Sequence, residues 1–171
     1  KSNKVLKLAF SLMIACSMAL GANAQLSGTF TIDPNGSGST NFASIQDAVD
    51  SLDAVGINGA ITFNVSSDTL NEAVSIPAIS GSSSSNTITF NGNGMSSTIV
   101  TNTSVVLELD AVQHVNFNKM AFENTASGET SVLLDGADTI NFDECKFNSG
   151  TSFGAYSLYF DGGATSIDVT N

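Results

Sequence analysis

Three aspartates recur at one place in a repeating pattern. Asp110, Asp135 and Asp161 each close an apolar run, and each is followed by Ala or Gly. In register on neighbouring strands they would stand ~4.8 Å apart, where unscreened carboxylates repel. A calcium ion could bridge two of them together with backbone carbonyls. Alternatively, each could bond its own turn backbone in water as an Asx turn. The Gly-rich nonapeptide of calcium-binding β-rolls is missing. Other reactive groups are sparse. His114 is the single His and immediately precedes an apolar–polar–apolar triplet; a surface or turn role competes there with general-base catalysis. Lys119 sits at a corner. Lys146 lies between two inward residues and so points outward. The sequence identifies a partner for neither. Cys145 lacks the companion Cys and His spacing of a zinc site and reads as a small core residue rather than a reactive thiol. There is no Arg. No catalytic, cofactor-binding or metal-ligating residue can be assigned, and calcium is the one cofactor left open.

These residues hang on a pattern that returns five times: Ile61-Thr62-Phe63, Ile88-Thr89-Phe90, Val115-Asn116-Phe117, Ile140-Asn141-Phe142 and Ile167-Asp168-Val169, at steps of 27, 27, 25 and 27 residues. Each triplet has period two and one buried face. A fixed period of this size means a stacked solenoid. The clearest unit adds a second strand, Met120-Ala121-Phe122, and a third, Val132-Leu133-Leu134. The fold class is therefore all-β, a parallel β-helix with three short strands per coil of 25–27 residues. Phe63, Phe90, Phe117 and Phe142 form an expected interior column. Met120 with Cys145, and Phe122 with Phe147, form others. Asn64, Asn91, Asn118 and Asp143 follow the first strand; Asn tolerates the left-handed backbone of a tight corner, and stacked Asn side chains can bond one another.

Before the triplets, Gly28 to Ile32 alternates as a short strand. Phe42, Ile45, Ala48, Val49, Leu52 and Val55 then recur at helical steps. The spacing predicts an amphipathic helix over 42–55, capped by Thr40 or Asn41 and ended by Gly56. It would lie as a lid over the open end of the first coil; a docking role for a partner is the alternative. Lys1, Lys4 and Lys7, the apolar run Leu8 to Leu20 and Ala22-Asn23-Ala24 make a secretory signal peptide over 1–24, too short to span a membrane. Cys16 offers a competing lipid-attachment reading, which the continuing apolar run disfavours. Division of the chain follows: leader 1–24, cap 25–59, coils 60–171. Residue 1 is Lys and residue 171 follows a triplet directly, so a longer chain with an uncapped C-terminal edge is expected.

All 16 acidic residues lie after Ala24, against two Lys, a net charge of −14. Such a surface excludes nucleic acid and anionic membranes as partners and fits an exported protein. The outward column Thr62, Thr89, Asn116, Asn141 and Asp168 is too mixed for the regular Thr array of an ice-binding face. It could hydrogen-bond sugars, with Tyr156 and Tyr159 as the aromatics available to stack on sugar rings.

Gly36-Ser37-Gly38, Phe42, Ile45-Gln46-Asp47-Ala48-Val49, the triplets and the Asn corners together resemble right-handed parallel β-helix proteins of the pectin-lyase-like superfamily, over about residues 28–171. More narrowly, the chain resembles secreted β-helix proteins of Bacteroidetes, often exported by the type IX route, and its opening is similar to that of pectin methylesterases. The resemblance implies a right-handed coil and, in the enzymes, catalytic sets containing Arg. This chain cannot fill those roles itself. The expected function is a structural stalk or a carbohydrate- or surface-binding, adhesin-like module of a larger secreted or cell-surface protein, with a polysaccharide or surface glycan as partner. The alternative is the N-terminal part of a polysaccharide lyase or hydrolase with its site beyond residue 171.

Overall fold

The computed structural model describes residues 24–150 and 156–170; residues 1–23 of the expected leader, Cys16 included, lie outside them. The chain opens with strand β1 (Leu26–Ile32), a short β2 (Asn41–Phe42) and helix α1 (Ile45–Val55). Strands then follow in threes: β3 (Ile57–Val65), β4 (Thr69–Asn71), β5 (Val74–Ile76); β6 (Ile88–Asn91), β7 (Ile99–Asn102), β8 (Leu107–Asp110); β9 (Gln113–Asn118), β10 (Ala121–Asn124), β11 (Val132–Asp135); β12 (Asp138–Asp143), β13 (Lys146–Asn148), β14 (Leu158–Asp161). Strand β15 (Thr165–Thr170) ends the described chain. From β3 on every third strand pairs in parallel, and β1 pairs in parallel with β3 and β2, giving sheets in the orders β15-β12-β9-β6-β3-β1-β2, β13-β10-β7-β4 and β14-β11-β8-β5. The molecule is the parallel β-solenoid that the triplets predict.

Register puts like on like. Ile61 pairs with Ile88, Val115 with Ile140, Phe90 with Phe117 and Phe117 with Phe142. Rings of the Phe63, Phe90, Phe117 and Phe142 column stack at 5.1, 5.3 and 5.1 Å, within 18° of parallel. Phe122 and Phe147 stack at 6.0 Å, and Phe122 meets Phe117 edge-on at 5.6 Å. Burying each ring stabilises by about 1.5–3 kcal/mol, and each aromatic pair adds about 0.5–1.5 kcal/mol.

The helix begins later than the spacing predicts. Asn41 and Phe42 are drawn into β2 by pairing with Thr31 and Ile32 of β1, and Phe42 packs its ring 5.8 Å from both Phe30 and Phe63. The cap is therefore Ser44, whose hydroxyl accepts from the Asp47 N–H at 3.0 Å; Gly56, at φ 70°, ends the helix as expected. Ile45, Ala48, Val49 and Leu52 are its buried face. Strand β1 itself pairs with β3, Phe30 beside Phe63, so the stack starts inside the stretch assigned to the cap.

The corners also differ from expectation. Asn64, Asn91, Asn118 and Asp143 stay in the strands, in register with one another. In the two later coils the left-handed residues are the next ones along, Lys119 (φ 57°) and Glu144 (φ 49°); Val65 and Gly92, after Asn64 and Asn91, are not left-handed. The ladder hydrogen bonds hold the Asn extended and push the turn one residue on. An Asn-to-Asn ladder does not form among the described residues. Asn116 Nδ2 instead donates to Thr89 Oγ1 at 3.3 Å, and Thr170 Oγ1 to Asp143 at 2.7 Å.

Asn organises a different corner, after the second strand. Asn102 and Asn124 are register partners. Asn102 Oδ1 accepts from the N–H groups of Thr103 (2.7 Å) and Ser104 (3.1 Å), and Asn124 Oδ1 from Ala126 N–H (2.8 Å). One coil earlier this position holds Glu72, since Asn71 pairs with Thr101. Its longer side chain reaches the N-terminus of α1, where its two oxygens accept from the Ile45 and Gln46 N–H groups at 3.0 Å each. A carboxylate there satisfies orphan donors and complements the helix dipole.

Two outcomes follow. Glu72→Gln should lower stability by about 1 kcal/mol and Glu72→Ala by about 2 kcal/mol, read as lost melting temperature and fraying of helical circular dichroism. Lys119→Val should cost about 1–2 kcal/mol, while Asn118→Val costs less than about 0.5 kcal/mol, by denaturant titration. A larger loss at Asn118 than at Lys119 would refute the assignment of the left-handed corner.

Candidate functional site

The aspartate ladder forms as the spacing predicts: Asp135 pairs with Asp110 on one side and Asp161 on the other. Each precedes a left-handed residue, Ala111 (φ 52°), Gly136 (φ 63°) or Gly162 (φ 58°). Backbone bonds continue across the turn, from Ala111 N–H to Asp135 O at 2.8 Å and from Gly136 N–H to Asp161 O at 3.1 Å. Asp161 Oδ1 accepts from the Gly162 N–H at 2.8 Å. The carboxylates thus line a turn whose backbone is already satisfied. Among the described residues no three His, Cys, Asp or Glu side chains converge to hold a metal ion.

His114 lies within β9 at φ 58°, on a line with Thr139 (φ 55°) and Ser166 (φ 53°) of the next coils. It occupies a backbone kink repeated in every later coil, which gives the position a structural reason. Lys146 has a partner the sequence reading did not find: its Nζ meets Glu123 Oε1 at 2.6 Å. The signal was available, because pairing Phe122 with Phe147 makes Glu123 and Lys146 diagonal outward neighbours. With the lysine side chain half exposed, the pair adds at most about 1 kcal/mol. Lys119 makes no ion pair among the described residues.

Cys145 packs against the core below the fully buried Met120, half-buried itself. Its Sγ donates to Phe117 O at 3.3 Å. Burial pushes the thiol up to about 11, which suits a packing role.

The outward face of the largest sheet carries a polar column, Thr29, Thr62, Thr89, Asn116, Asn141 and Asp168 in register. Beside it Thr165 Oγ1 donates to Asp138 at 2.8 Å. That bond, with help from Ser166 and Thr139, holds the Asp138 carboxyl below the usual carboxylate range. Tyr156 and Tyr159, named separately from sequence, come together with ring centroids 5.2 Å apart and remain 53% and 39% exposed. Tyr159 belongs to β14 and Tyr156 precedes that strand, so Tyr159 sits on a different sheet from the polar column. Two shallow recesses flank α1. One is apolar, 320 Å³, with Leu26, Phe30, Phe42 and Val55 in its wall. The other, 380 Å³, is bordered by Asp68 and by Glu72, whose carboxylate is committed to the helix. Among the described residues no helix is long and apolar enough to cross a membrane.

No family model matches the chain, and no curated protein matches it. A solved structure does: a mutant pectin methylesterase in complex with a hexasaccharide, with a TM-score of 0.58 and 10% identity, over 84% of this chain and 50% of that one. The chain therefore spans about half the length of that enzyme. At this identity the likeness shows the pectin-lyase-like β-helix fold and nothing finer.

At pH 8, alkylation of Cys145 should run roughly a hundredfold slower than that of an exposed thiol, because its thiolate fraction is lower by about two decades. Labelling at the rate of a free thiol would contradict its burial beneath Met120.

Proposed function

We propose that this chain is a non-enzymatic β-helix segment of a larger exported protein, a rigid stalk that meets carbohydrate through its side. The exposed Tyr156–Tyr159 pair carries this reading. Two tilted rings, Tyr159 on β14 and Tyr156 in the segment before it, give sugar rings an apolar face to stack on. The supporting features are structural. The Asp ladder shapes turns, His114 sits at a repeated kink, Lys146 is paired and Cys145 is packed. The leader over 1–24 would export the chain to a secreted or cell-surface location, by cleavage rather than lipidation at Cys16. The finer likeness to type IX-exported Bacteroidetes surface proteins belongs to this same proposal. With sixteen acids against two lysines beyond the leader, a neutral surface glycan suits the chain better than a polyanion.

A second reading has an observation of its own. The solved neighbour is a pectin methylesterase bound to a hexasaccharide, and this chain spans about half its length. On that reading the chain is the first part of a polysaccharide lyase or hydrolase whose reacting groups lie beyond residue 171.

Affinity electrophoresis in gels containing neutral polysaccharides, with assays for reducing ends and unsaturated products, separates the two. The stalk reading expects retardation without product, and a roughly threefold to tenfold weaker interaction for Tyr159→Ala. Product formation by the chain would sink it, as would retardation indifferent to Tyr159.

A further inference from the structure

We propose that the mature terminus is chemically closed: once the leader is cut after Ala24, Gln25 cyclises to a pyroglutamyl lactam. The inference rests on the export reading above, because it needs that cut. Ala22-Asn23-Ala24 is a small-residue cleavage site, and the residue freed behind it is Gln. A Gln side chain places its amide carbon where a five-membered ring closes onto its own α-amino nitrogen. An α-amine keeps a nucleophilic, unprotonated fraction near neutral pH. Its lone pair attacks Cδ and forms the N–Cδ bond. The Cδ–Nε2 bond then breaks, a proton passes from the α-nitrogen to Nε2, and ammonia leaves. Nothing is oxidised or reduced, and no co-reactant is consumed.

The structure leaves these atoms free to react. Gln25 is exposed and directly precedes β1, with its side-chain amide beside Gly56. The next residue is already fixed. Leu26 pairs with Ile57, and its N–H donates to Gly56 O at 2.9 Å. That N–H belongs to the peptide bond after Gln25 and takes no part in ring closure, so the fold is kept. Ala24 and Leu26, on either side of Gln25, both line the apolar recess beside α1, with Phe30, Phe42 and Val55. A neutral ring suits that rim better than an ammonium, whose hydration the apolar wall curtails. Closure also changes the charge. Beyond the leader the side-chain cations are Lys119 and Lys146, and Lys146 is paired with Glu123. The α-ammonium would be the next positive charge, and the lactam removes it. The closed terminus also offers no amine to an aminopeptidase, at the residue that leads into the largest sheet.

Expression of the full chain in an exporting host, followed by intact mass, peptide mapping and amine-reactive labelling of the exported product, tests this. The expected product starts at residue 25 and is lighter than the open chain by one ammonia, with the loss mapped to its first peptide. It resists Edman degradation until pyroglutamyl peptidase is added, and takes label at two amines, Lys119 and Lys146. Gln25→Asn could close only a strained four-membered ring. It should take label at a third amine, with the circular dichroism and melting of the parent. A product that starts at residue 25 with a free amine overturns the inference and leaves the export reading standing. A product that keeps residues 1–24, or is cut elsewhere, overturns both. Should Gln25→Asn fail to be exported, the parent decides alone, since the mapped mass and pyroglutamyl peptidase each report the ring.

Discussion

Everything in this molecule depends on the spacing between parallel strands. A side chain facing inward from one coil sits about 4.8 Å below its counterpart on the next, too close for any residue to ignore the one beneath. Flat rings satisfy that constraint by stacking, and the Phe63-to-Phe142 column does so at 5.1–5.3 Å. Shape, polarity and size must then repeat along each column. The repetition in the sequence is the consequence. Polar columns obey the same demand outside, where Asn116 donates to Thr89 and Thr165 to Asp138 across the strands.

The columns were legible because period two within a strand and a period near 27 between strands leave one registration that turns the repeated apolar residues of each triplet inward. Loop positions were less legible. Variation in coil length is placed at a different corner each time: residues 77–87 after β5, 92–98 after β6 and 125–131 after β10. Local spacing alone could not say which corner carried the extra residues. The Asn misassignment has the same root. The sequence shows Asn after the first strand in three coils and Asp in a fourth, but ladder bonds keep those residues extended, and the working Asn, Asn102 and Asn124, end the second strand. Helical periodicity placed Phe42 on the helix, yet pairing with β1 outweighed it. Glu72 carried no local signal, because its partner lies 27 residues away.

The acidic surface and the neutral interior divide the labour. Most charges stand at turns and outward positions, where water solvates them. The deeply buried polar side chains, Thr98, Asn124 and Ser131, are committed to backbone carbonyls of neighbouring segments. They lock the loops to the frame rather than serve a reacting molecule. Tyr159 of β14 and Tyr156 just before that strand stand apart from this scheme, since both keep their rings exposed.

The one-period reach of the contacts has a mechanical corollary. Each strand is held mainly by the strands one coil before and after it, so tension on one end loads a single row of backbone bonds on each of three sides. Such a rod should yield by unspooling, one coil at a time. Freed at about 3.4 Å per residue, a coil of about 27 residues releases roughly 90 Å of slack, against the 4.8 Å it spanned when stacked. An extension profile with that step would belong to a molecular shock absorber, with the Glu72 clasp on α1 as its fixed end.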